Sequence, residues 1–114
     1  MRFESEVVAE NILPAIRKIL AVSLSTDYGL TQRDISQKLA VTQPAVSQYL
    51  KGKRADKDVV EKLEDDPQIN ILIEDAVAKA AKDEDFSDEI RQIIQTSRDK
   101  GLFKEKFRGT KRCL

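Results

Sequence analysis

The sequence predicts an all-α chain, and three observations carry that reading. Apolar residues recur at helical spacing in six segments, good N-caps and Gly or Pro stops bracket those segments, and nothing alternates with period two long enough to make a strand. Residues 12–28 place Ile12, Leu13, Ile16, Ile19, Leu20 and Leu24 on one helical stripe. Pro14 is tolerable there in a first turn, where its missing N–H has no partner to lose, and Gly29 supplies the stop. Upstream, "FESEVVAEN" predicts a separate helical turn or two that meets this helix at Pro14. Thr31 is the expected cap of "QRDISQKLA" and Thr42 of "QPAVSQYLK", with Pro44 inside the first turn of the latter and Gly52 just past its end. "ADKDVVEKLEDD" keeps Val59, Val60 and Leu63 on one face and stops before Pro67. "QINILIEDAVAKAAK" then offers Ile69, Leu72, Ile73, Ala76, Val77 and Ala80 as a broad stripe. Ser87 is the expected cap of "DEIRQIIQTSRDK", which holds Ile90, Ile93 and Ile94 inside and ends at Gly101.

Size and composition exclude several classes. With 114 residues and 12.9 kDa the chain suits one small domain, or a small domain with an appendage. A weak boundary at "EDDPQ" divides residues 1–66 from 67–114. No apolar run approaches the ~18 residues a bilayer span needs, and the opening residues are acidic where a secretory leader would be basic and then apolar. A soluble, cytoplasmic protein is expected. Cys113 is the single cysteine, read as a free thiol near the tail. There is no histidine, which removes the commonest general base and metal ligand. The carboxylates of "LEDDP" and "KDEDFSDE" read as solvated faces or helix N-termini, so no enzyme activity, metal or cofactor is expected.

Charge is neutral in sum, 20 basic against 20 acidic groups, but unevenly spread. Residues 31–54 carry five basic groups and one acidic, residues 100–114 six and one, and the segments between and before them lean acidic. Affinity for a phosphate backbone follows local Lys and Arg contacts that release counterions, so two basic islands matter more than the total.

The first island coincides with two short helices joined by a three- or four-residue turn, which predicts a helix-turn-helix whose second helix enters the DNA major groove. Ile35, Leu39, Val41, Val46, Tyr49 and Leu50 are its expected buried positions, with Ser36 and Ala40 small where the helices approach and the chain turns. Tyr49 is read as core rather than as a stacking platform. The other face of the second helix exposes Thr42, Gln43, Pro44, Ser47, Gln48 and Lys51. Such a set suits base edges: glutamine bonds adenine through both amide groups, serine bonds several bases, and proline presses on a thymine methyl. Gln32, Arg33, Lys38, Lys53 and Arg54 are placed to meet phosphates.

The stretch "QRDISQKLAVTQPAVSQYLKGK" resembles the helix-turn-helix of the lambda-repressor and Cro group, the XRE type. Gln32 and Gln43 hold the places of the glutamines that open the first helix and the recognition helix there. Gln48 matches a further base-reading glutamine, and Gly52 with Lys53 matches the phosphate-contacting loop. With "LPAIRKILA" upstream and "KGKR" downstream, the first half is similar to archaeal transcriptional regulators. The resemblance implies a lambda-repressor-like domain followed by a helical C-terminal extension. Pro44 departs from the repressor pattern, replacing a polar base reader, so no operator is carried over. The cysteines that often follow the motif in the archaeal group are absent from that place here.

These readings predict a sequence-specific regulator of transcription that binds double-stranded DNA, with residues 43–51 as recognition helix. A protein-interaction adaptor of the transcription machinery with the same fold is the alternative, and a small metal-dependent enzyme using the acidic cluster is a third class. Residues 1–66 are expected to be the DNA-binding domain with its N-terminal helix. Residues 67–114 are expected to complete the core and to form a homodimer face. The tail "KEKFRGTKRCL" reads as a disordered, solvated end, with an extra phosphate-binding arm as the alternative.

Overall fold

Pro14 governs how the chain begins. The computed structural model describes residues 1–112, and in it Glu4–Val7 (α1), a π turn over Val8–Ile12 and Leu13–Thr26 (α2) form one uninterrupted helix. Pro14 has no N–H for the Glu10 carbonyl, and its ring crowds that carbonyl in a regular α-helix. A wider turn relieves both problems: the Leu13 N–H donates to the Val8 carbonyl, five residues back, and the Asn11 amide donates to the Val7 carbonyl at 3.2 Å. The break expected at Pro14 is therefore absent, because one π turn absorbs the proline.

α2 is the central helix. Ala15, Ile16, Ile19, Leu20, Ala21 and Leu24 are all buried, since α3 (Gln32–Leu39), α4 (Gln43–Leu50), α5 (Lys57–Asp65) and α6 (Pro67–Ala81) each pack on it. Truncating a fully buried Leu or Ile at such a place costs about 2–5 kcal/mol.

The turn between α3 and α4 is built from short-range signals. Thr31 Oγ1 accepts the Asp34 N–H at 3.1 Å while the Asp34 carboxylate accepts the Thr31 N–H at 3.4 Å, a reciprocal cap worth about 1 kcal/mol. Ala40 adopts φ 55°, which lets the Val41 N–H turn back to the Ser36 carbonyl at 3.0 Å. Thr42 Oγ1 then accepts the Ala45 N–H at 3.2 Å and starts α4. After α4, Gly52 at φ 72° closes a Schellman motif: its N–H donates to the Tyr49 carbonyl at 3.0 Å and the Lys53 N–H to the Gln48 carbonyl at 2.9 Å. A Cβ at Gly52 would meet nothing within 4 Å, so glycine is needed there for its φ alone.

α5 and α6 share Asp66, which ends the one and caps the other, its Oδ1 accepting the Ile69 N–H at 3.0 Å. The broad stripe of α6 is used inside the monomer: Ile69, Ile73, Ala76, Val77 and Ala80 are buried, whereas Ile71 is 60% exposed. α7 (Ser87–Asp99) folds back on α6, and Lys79 Nζ meets Glu89 Oε2 across the pair at 2.7 Å. Ser87 is the first helical residue rather than the cap. Asp85, two residues earlier, reaches the Ser87 N–H at 2.9 Å and takes that role.

The tail is the larger correction. Instead of a solvated end, residues 103–111 pack back on the chain: α8 (Lys104–Phe107) is anchored by the buried rings of Phe103 and Phe107. Lys111 then pairs with Phe3 as a parallel bridge, the Glu4 N–H donating to the Lys111 carbonyl and the Lys111 N–H to the Arg2 carbonyl, both at 2.9 Å. Two aromatics four residues apart carried that signal inside a run dominated by charge. Cys113, read as a free thiol, lies outside the described residues. Among the described residues no helix is long and apolar enough to cross a membrane.

Candidate nucleic-acid interface

α4 has two sharply different sides. Ala45, Val46 and Tyr49 are buried against the core, and Leu39, Val41 and Leu50 pack partly buried beside them. At ~100° per residue these buried positions gather on one side of the helix, which turns Pro44, Ser47, Gln48 and Lys51 to the other, with Gln43 at the helix end. Thr42, Gln43, Pro44, Gln48 and Lys51 are exposed, and Ser47 is half-buried. The N-terminus of α4 needs little from its first residues. The Thr42 hydroxyl oxygen satisfies the Ala45 N–H and Pro44 has no N–H to satisfy, so the cap makes no demand on the Gln43 side chain.

Gln32 and Arg33 are exposed in the first turn of α3, and the Arg33 carbonyl accepts the Ser36 hydroxyl at 2.7 Å. Lys53 and Arg54 are exposed in the loop that the Schellman closure of α4 holds beside the helix end. The Arg54 guanidinium lies 5.8 Å from the Tyr49 ring centroid, which ties the loop to the core through a ring whose other contacts are buried. The fold thus brings Gln32, Arg33, the α4 face and the loop cations onto one helix pair.

Ion pairs hold many of the cations outside this region. Lys57, Lys62, Lys79, Arg91, Arg98, Lys100 and Lys106 all pair with carboxylates, as does Arg2. Among the described residues, Arg33, Lys51, Lys53 and Arg54 make no ion pair, and neither do Arg17, Lys18 and Lys82 elsewhere or Lys104, Arg108 and Lys111 of the tail. Asp34, the one acid of residues 31–54, is turned to the Thr31 N–H. Four such cations lie on or beside the helix pair, where their charge is available to a phosphate backbone.

Lys38 is the exception to the expected phosphate set. Its Nζ lies 2.9 Å from Asp83 Oδ1 and its side chain is 14% exposed, so its charge serves the fold. A partner 45 residues away in the chain takes it out of the interface. Several acids of the two acidic runs are also engaged inside the fold. Lys79 donates to Glu89, which lowers that carboxyl and raises the lysine, and the Ser87 N–H holds Asp85 below the usual carboxylate range. Lys100 does the same for Asp66, and Arg98 for Glu4. Among the described residues no three Asp, Glu, Cys or His side chains converge where a metal ion could sit.

The class that this fold and helix pair define is a lambda-repressor-like helix-turn-helix domain followed by a helical extension. Residues 27–72, from the end of α2 into α6, match the helix-turn-helix family model, a family of DNA-binding regulator domains. Comparison with curated proteins and with solved structures gave no match.

Proposed function

We propose that the protein is a transcriptional regulator that binds double-stranded DNA in a sequence-specific way, with α4 in the major groove. The observation that carries this reading is the coincidence of an exposed polar helix face with adjacent cations that make no ion pair among the described residues. In this reading Gln43 and Gln48 bond base edges, Pro44 touches a thymine methyl, and Ser47 and Lys51 complete the face. Gln32, Arg33, Lys53 and Arg54 bind phosphates, and the Thr42 hydroxyl, whose oxygen serves the cap, donates its proton to one more. The family match over residues 27–72 supports DNA as the partner.

The proposal includes a homodimer, since domains of this type read two half-sites about 34 Å apart or a multiple of that spacing. Residues 67–100 supply most of the contact, and Ile71, 60% exposed beside the half-buried Leu72, supports that assignment. The protein works in the cytoplasm with the DNA it regulates, in the manner of the archaeal regulators it resembles. Selection from random duplex DNA tests the reading: an enriched site bound tightly relative to its scrambled version is expected. Absence of any preference among duplexes would remove it and favour a protein-binding adaptor.

A further inference from the structure

We infer that the segment around α8 is a second phosphate-binding site, in which Lys104, Arg108 and Lys111 hold the DNA backbone beyond the base pairs under α4. The inference rests on the reading of α4 as a recognition helix and extends it to a different part of the chain.

Three features place and arm this segment. First, it adjoins the loop after α4. Lys106 Nζ lies 3.9 Å from Asp56 Oδ2, and the Lys62 ammonium lies 6.0 Å from the Phe103 ring centroid, so α8 rests on the first turns of α5. Asp56 follows Arg54 by two residues, a backbone span of at most about 7 Å. Second, its charge is free. Residues 104–112 hold five basic groups against Glu105, and among the described residues Lys104, Arg108 and Lys111 are exposed and without an ion pair. Nearby acids are already engaged: Asp56 Oδ1 caps α5 through the Asp58 N–H at 2.8 Å and its Oδ2 faces Lys106, and Asp58 pairs with Lys62 at 3.6 Å. Third, the segment is held in place by Phe103, Phe107 and the Lys111 bridge to Phe3, so little ordering entropy is lost when a ligand arrives.

The ligand that matches three fixed, unpaired cations continuing a basic loop is a polyanion with closely spaced charges. Duplex DNA presents one phosphate charge per ~1.7 Å of axis, so a basic ridge that lengthens the footprint meets further phosphates of the same molecule. No base recognition is involved, because α8 is a single turn, too short to lie along a groove as α4 does.

The test uses the full chain, with Lys104→Ala, Arg108→Ala and Lys111→Ala combined, and with Lys53→Ala and Arg54→Ala as the comparison pair. Each protein is titrated at several salt concentrations against a minimal duplex trimmed to the selected site and against one extended by about ten base pairs on each side, one helical turn. On the extended duplex the triple variant should reduce the slope of log affinity against log salt by about 2–3 units, for selected and scrambled sequences alike. On the minimal duplex it should match wild type, whereas the loop pair loses affinity on both. An unchanged slope on the extended duplex, or equal losses on the two duplexes, overturns the inference while the reading of α4 stands. If wild type binds no duplex of either length, both fall together. The three side chains are exposed, so circular dichroism should show an unaltered fold. The single variants Lys104→Ala and Arg108→Ala, each expected to remove about one unit of slope, provide the same readout independently.

Discussion

Arg98 and Phe107 are stacked: the guanidinium carbon lies 3.7 Å from the centroid of the ring, while Nη2 of the same side chain donates to Glu4 Oε1 at 2.8 Å. One residue of α7 therefore holds both α8 and α1. Replacing Arg98 by Ala is expected to cost about 1–2 kcal/mol, the range for a partly desolvated cation on an aromatic face, as read by urea unfolding. Arg98→Lys keeps the charge but loses the planar stack and should recover only part of that loss. Full recovery by lysine would mean that the ring contact contributes nothing.

Acid and alkali should both weaken the fold, through the same pair. Glu89 lies below its ordinary range because Lys79 donates to it, as do Glu4 beside Arg98 and Asp66 beside Lys100. A carboxyl lowered in the folded state contributes stability that is complete above its unfolded value, about 4, and is lost as pH falls through the folded one. Lys79 is raised, so its contribution is complete below about 10.4 and disappears as pH rises through the higher folded value. Urea midpoints measured from pH 3 to 11 should show a plateau with losses at both ends. In Glu89→Gln the alkaline loss should shrink, and an unchanged alkaline limb would remove Lys79 as its source.

Base reading and phosphate positioning should separate by mutation. Gln43→Ala or Gln48→Ala is expected to cost about 1–3 kcal/mol on the best site and to relax preference at one base position, with binding to unrelated duplexes little changed. Lys53→Ala or Arg54→Ala should weaken all duplexes alike and reduce the salt slope by about one unit each. Identical behaviour of the two groups on selected and scrambled DNA would show that α4 is not the recognition helix.

Ala40 stands where the chain needs a left-handed residue, at φ 55° and ψ 44°. An L-residue with a Cβ gives up about 1–2 kcal/mol there, and glycine gives back about 0.4–1 kcal/mol through the greater freedom of the unfolded chain. Ala40→Gly should therefore stabilise the protein by up to about 1.6 kcal/mol, visible as a Tm a few degrees higher, and Ala40→Val should lower it. A lower Tm for the glycine variant would refute the strain argument.

The proposed dimer face makes Ile71 a sensitive position. Sedimentation at micromolar concentration should show a dimer, and Ile71→Lys should shift it to monomer without loss of helix content. A wild-type monomer with full DNA affinity would rule out the pairing.

What could be read from the sequence was mostly what neighbouring residues decide. The Thr31 and Thr42 caps and the Gly52 stop each depend on hydrogen bonds reaching no more than five residues, and the helical period alone set Val46 and Tyr49 inside with Gln43, Gln48 and Lys51 outside. The misses came from longer range. Lys38 meets Asp83 only after α6 has carried the chain back past α3, and Phe3 meets Lys111 only when both ends arrive at the same place. The π turn was hidden for another reason: a proline can open a helix or be absorbed by one, and the choice depends on whether the upstream turn is held by Arg98 and residues 107–111, which local residues do not reveal.

The bridge between Phe3 and Lys111 also sets an order of events during synthesis. A chain made from its N-terminus has α2 to α5, and with them the whole helix pair, long before the residues that secure α1 exist. Glu4, in the first turn of α1, has no ion-pair partner until Arg98 has been added, and the Arg98 guanidinium has no ring to stack on until Phe107 follows. A product stopped short of Arg98 carries every residue of the α4 face on a scaffold whose first turn lacks both the Glu4 ion pair and the Lys111 bridge, so the fastening of α1 reports that α7 and α8 have been made.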